Sequence, residues 1–141
     1  MIAGTLDLSS DARSTAGILL LAVVAVEYGG TYMVKIVRGK VDATPFQQSF
    51  SRAGHAHAGV LVIFALLCLV LADAAEVSGF QATLARNGVA LAAILMPAGF
   101  FFSSMGAGRS QPNRFIILLW LGAAILAAGV IALGIGLLRS A

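Results

Sequence analysis

The chain has 141 residues, 60% of them hydrophobic and 11% charged, with a formal net charge of +3 and a mean hydropathy of +0.97. Soluble domains carry about 25% charged residues, so this composition excludes a water-soluble globular protein. The few basic residues are scattered among short loops, which excludes a nucleic-acid partner, and the single cysteine, Cys68, excludes an intrachain disulfide or a cysteine-based zinc site.

The first fourteen residues include Asp7, Asp11 and Arg13 and lack the basic start of a secretory leader, so the first apolar segment is expected to persist as a helix. A membrane-spanning helix needs about 20 apolar residues. Four segments qualify: from about Ser14 to Val37, Gly54 to Asp73, Asn87 to Met105, and Phe115 to Leu138. Their apolar runs do not alternate, which rules out barrel strands. The expected fold is an all-α membrane protein, a four-transmembrane-helix antiparallel bundle forming one domain over residues 1–141. Pro45 marks a turn, while Asp73, Glu76, Asn87 and Asn113 read as helix-end or cap residues.

Of the nine Lys and Arg, six (Lys35, Arg38, Lys40, Arg52, Arg109 and Arg114) flank loops one and three. The positive-inside bias places those loops in the cytoplasm and both termini outside. An integral protein of a bacterial inner membrane is the expected setting, with the lipid bilayer as its first partner.

Helix one carries Glu27, Tyr28, Thr31, Tyr32 and Lys35 on one face. Glu27 lies near mid-bilayer, where a carboxylate is costly and must be neutralised or partnered inside the bundle. Two readings stand: a protonated carboxyl bonded to a neighbouring helix, or a proton-carrying or substrate-binding group. Lys35 is about 12 Å further along the axis, too far for direct pairing with Glu27, and can snorkel to the interface.

Helix two opens with Arg52-Ala-Gly-His-Ala-His-Ala-Gly59, which contains both histidines of the chain. His55 and His57 project about 200° apart on a helix and cannot hold one ion side by side. Arg52 and His55 share a face, so one imidazole is expected to meet the polar stripe of helix one while the other turns elsewhere. Interfacial histidines bonded to carbonyls or lipid phosphates are the plain alternative. An imidazole with a pKa near 6.5 suits proton transfer at neutral pH.

Pro97 interrupts helix three and is expected to free the Ala93 carbonyl and kink the helix. Phe100, Phe101 and Phe102 follow it and can wall an apolar pocket. In helix four, Ala128, Ala132 and Gly136 form a small-residue ladder suited to close helix approach, which predicts homo-oligomers built through small-residue faces. Asn113, in the loop before it, is a candidate contact at the mouth of a site.

His57-Ala-Gly59 with Phe64, together with Pro97-Ala-Gly99 and Gly106-Ala-Gly108, resembles the small membrane hydroxylaminobenzene mutases, whose second helix starts with His-x-x-Gly. Here the glycine follows His57 after one residue. The resemblance implies an isomerase that rearranges a small aromatic hydroxylamine to an aminophenol. On it His55 or His57 is the proton donor, Glu27 an electrostatic stabiliser, and Tyr28 and Tyr32 orienting groups. Arg52, Lys35, Phe101 and Asn113 complete the candidate substrate contacts. Gly54-His-Ala-His57 also resembles one histidine-bearing helix of the haem-copper oxidases. That leaves open a homo-oligomeric accessory protein binding lipid, a haem or a metal ion through His55 or His57, with two copies meeting across a symmetry axis.

Overall fold

Continuous apolar runs in hydrocarbon must satisfy every backbone N–H and C=O within their own segment, and helices do so. The computed structural model describes residues 8–75 and 77–140. Four helices occupy them: α1 (Ser10–Val37), α2 (Pro45–Ala74), α3 (Gly79–Ser104) and α4 (Ile116–Ser140). All four are long and apolar enough to cross a membrane. At about 1.5 Å per residue each exceeds a hydrocarbon core of about 30 Å, so helix ends reach into the interface.

Three helices start earlier than their apolar runs, α1 by about one turn and α2 and α3 by more. Pro45 is the first residue of α2 rather than a loop turn, because Thr44 and Gln47 form a reciprocal capping box: the Thr44 hydroxyl accepts from the Gln47 amide at 3.2 Å, and the Gln47 side chain accepts from the Thr44 amide at 3.1 Å. The helix thus runs from Pro45 through the polar stretch up to Gly54. Likewise α3 begins at Gly79, and Asn87, read as a cap, is an exposed residue inside it. Glu76 lies outside the described residues.

Arg86 can enter α3 because Asp73 neutralises it, through Nε and Nη2 each 2.9 Å from Asp73 Oδ1. The Ser9 amide also donates to Asp73 Oδ2 at 2.7 Å, and its hydroxyl to Oδ1 at 3.2 Å. One carboxylate therefore ties the N-cap of α1, the last turn of α2 and the first turns of α3 together. Asp73 is an inter-helix clamp, not a local cap.

Successive helices pack side by side in chain order, and α1 makes no contact with α4 among the described residues. The core lies along α2 and α3, around Leu61, Ala65, Leu69, Val89, Ala93 and Met96. α1 is peripheral, with only Ala12, Leu19 and Ile36 buried. α3 continues through Pro97 without a break in its assignment.

The tightest approach is between α3 and α4. Gly122, Gly129 and Gly136 recur every seventh residue and are all buried. A methyl on Gly129 would lie 3.0 Å from the Leu84 carbonyl oxygen and 3.1 Å from Gly88 Cα, and one on Gly88 would lie 2.9 Å from Gly129 Cα. This glycine seam replaces the expected Ala128–Ala132–Gly136 ladder, since Ala128 is exposed while Ala132 and Gly136 are buried. Two of the three ladder positions, Ala132 and Gly136, are thus occupied within the chain, while Ala128 faces outward.

Alanine is the better helix former by about 1 kcal/mol, yet Gly129→Ala should destabilise by about 1–3 kcal/mol because backbone is what it strikes. Gly134→Ala meets nothing within 4 Å and should leave stability unchanged or slightly raised. Thermal unfolding of both variants in detergent checks the contrast.

Candidate functional site

Loops one and three are drawn together by hydrogen bonds. Gln47 Nε2 donates to the Ser104 and Gly106 carbonyls at 3.0 and 2.7 Å, and the Thr44 hydroxyl donates to the Arg109 carbonyl. Asn113 closes the same loop, its amide donating to Ser103 O at 2.9 Å and its Nδ2 to Phe102 O at 2.9 Å. Asn113 therefore organises the loop rather than standing free at a mouth. Two positive-φ glycines, Gly106 and Gly108, provide the reversal between α3 and α4.

Beneath this lacing lies a cavity of about 380 Å³ whose walls come from α1, loop one, α2 and α3. Tyr32, Asp42, Gln47, Ser51 and Ser104 supply its polar groups, and Phe101 and Phe102 its aromatic surface. Three of the residues singled out in the sequence, Tyr32, Phe101 and Phe102, line it. Ser51, Gln47 and Ser104 are additions: the serines carry no charge or motif, Gln47 belongs only to the capping box, and the fold alone brings the three together.

The histidines diverge, as their spacing requires. His55 lies on α1 at Gly29 and Gly30: a methyl on Gly29 would meet Nδ1 at 3.6 Å, and one on Gly30 would meet Cε1 and Nε2 at 3.7 Å. A Gly-Gly pair in the middle of a membrane helix is the sequence signal for this contact. His57 turns to α3, its ring 4.9 Å from that of Phe100, while Nδ1 lies 2.8 Å from the Ala53 carbonyl. A carbonyl only accepts, so Nδ1 carries the proton and Nε2 keeps its lone pair in the neutral ring. A smaller cavity of about 170 Å³ adjoins His57, Val60 and Leu61.

The polar stripe of α1 points elsewhere. Glu27, Tyr28, Thr31 and Lys35 are exposed, and neither Glu27 nor an imidazole lines the 380 Å³ cavity. The physical reason is a competing face: Leu19, Val23, Val26, Gly30 and Met33 recur at threes and fours and pack inward, turning the stripe out. Among the described residues Thr31 bonds only within its own helix, to the Tyr28 carbonyl at 2.7 Å. Arg52 is exposed as well. The aromatic trio divides three ways: Phe100 to His57 and Phe50, Phe101 to the cavity, and Phe102 to the edge of Phe115 as well as the cavity. Among the described residues no three His, Cys, Asp or Glu side chains are grouped to hold a metal ion.

Gln47→Ala should strip two carbonyls of their donor and cost about 1–3 kcal/mol, loosening loop three. Limited proteolysis at Arg109 should then run several-fold faster than in the unaltered protein. No protein-family model, curated protein or solved structure matches the chain.

Proposed function

We propose that the protein binds a small amphipathic aromatic molecule in the 380 Å³ cavity and that its chemistry is the isomerisation of an aromatic hydroxylamine to an aminophenol. One observation carries the binding reading: aromatic rings and a phenol, two serines, an amide and a carboxylate converge on a space of ligand size, within the roughly 300–1,000 Å³ range of small-molecule sites. The rings suit the apolar face of such a molecule, and the polar groups suit its N–H and O–H substituents. The cationic ends around loops one and three face the cytoplasm on this reading.

In the proposed reaction a proton passes to the hydroxylamine oxygen, the N–O bond breaks and water leaves. Water then adds to the ring and a ring proton is lost, so substrate and product are isomers. His55, outside the lining and one turn deeper on α2 than Ser51, is the proposed proton source, acting through a bridging water rather than by contact; Tyr32 orients the substrate and Asp42 steadies the cationic ring. Purified protein should convert hydroxylaminobenzene to aminophenol, and Ser51→Leu, which fills the cavity, should weaken binding about tenfold or more, about 1.4 kcal/mol. Absence of turnover with intact binding would remove the isomerase and keep the binding protein; binding unaffected by Ser51→Leu would remove the cavity.

A second reading has its own observation. Backbone capture of His57 Nδ1–H is the arrangement that orients a metal-ligating imidazole and leaves Nε2 to coordinate. Protein purified in mild detergent with added haem should then show a Soret band that His57→Ala abolishes and His55→Ala retains. An unchanged spectrum in His57→Ala would exclude that role.

A further inference from the structure

The outward side of α1 has a periodicity that no contact among the described residues uses. Gly17, Leu21, Val24, Tyr28, Thr31 and Lys35 are separated by alternating fours and threes, and every one is exposed. That is the a/d seam of a two-stranded coiled coil, the geometry shared by most left-handed membrane helix pairs. With Tyr28 at an a position, Glu27 is the preceding g residue and Tyr32 the following e residue.

We propose that α1 pairs with α1 of a second copy along this seam, and that Glu27 of each copy accepts a hydrogen bond from the Tyr32 phenol of the other. Copies inserted with the same orientation are related by an axis along the membrane normal, so their α1 helices run parallel and equal residue numbers lie at equal depth. In a parallel pair, g of one helix faces the e residue five positions later on the other, which from Glu27 is Tyr32. Glu27 lies about 15 Å from the end of α1, within the hydrocarbon, where an acceptor without a donor costs several kcal/mol. Tyr32 supplies the donor, so the occupant is fixed by complementarity: each copy offers an acceptor and a donor at the register the other requires.

Two structural facts make room for this pairing. α1 is peripheral and leaves its outer side free of α4, and the usual small-residue face of α4 is already occupied by α3. Lys35 closes the seam at the membrane surface, where like charges splay into the headgroups. Because Tyr32 also lines the 380 Å³ cavity, the pairing sets a carboxyl group of the second copy at the cavity rim. The dimer stands independently of what the cavity binds.

The test is disulfide trapping in native membranes, where Cys68 is 1% exposed and inert. Val24→Cys and Thr31→Cys should each yield a majority of covalent dimer under mild oxidant. Ile63→Cys on α2 and Ile131→Cys on α4, 70% and 60% exposed, should remain monomeric. Co-expressed, differently tagged Glu27→Cys and Tyr32→Cys chains, whose backbones lie too far apart for a direct disulfide, should form the mixed dimer with a short thiol-to-thiol bismaleimide crosslinker. No trapping at either seam position, or trapping equal to that at Ile63, would overturn the dimer. Seam trapping without the mixed Glu27–Tyr32 product would overturn the pairing across copies.

Discussion

Two helices in hydrocarbon gain nothing by hiding apolar side chains from water, because there is none to hide from. What holds them is close contact and a few well-placed polar bonds. In this protein the first is concentrated between α3 and α4, where Gly88 and Gly129 bring the two backbones to within a methyl's breadth. The second is placed at the ends. Asp73 gathers Ser9 and Arg86 at one end of the bundle, and Gln47 gathers Ser104 and Gly106 at the other. The middle is apolar and tightly packed, and the two ends set register.

This division accounts for where a site can form. Laced loops hold the helix ends apart by the thickness of the polar groups between them, and the space beneath is lined by what the helix turns nearest those loops present. On α1 that is Tyr32, on α2 Gln47 and Ser51, and on α3 Phe101 and Ser104. The two imidazoles sit one and two turns deeper on α2, held by contacts of different kinds: glycine backbone for His55 and a tilted aromatic ring for His57. Equal residues two positions apart thus meet unlike surroundings, which gives one a fixed tautomer and leaves the other free of that constraint.

The four spans were legible because length and apolarity alone determine them. Their starts were not. Phe46 to Arg52 is too polar to read as membrane helix, and only the Thr44 and Gln47 pair, a local signal, marks the true N-terminus of α2. Arg86 read as loop because its neutralising partner lies on another helix. Within the site, Tyr32 and Phe101 stand out as aromatic residues near helix ends, and the divergence of His55 and His57 follows from helical period. Ser51 and Ser104 were illegible, since an uncharged polar residue announces nothing until the fold gives it a neighbour; Gln47 carried a capping signal but none for the cavity. The polar stripe of α1 was legible as a face but not in direction, because that depends on which side of the helix packs better. Gly29 and Gly30 decided it by admitting the His55 ring.

Of the four helices α1 buries least, with Ala12, Leu19 and Ile36 alone inside. Its start is tied to the bundle through Ser9 and Asp73, and near its other end Tyr32 walls the cavity. One flank of the vestibule therefore belongs to the helix with the most outward surface, so whatever packs behind that helix in the membrane is a neighbour of the cavity as well.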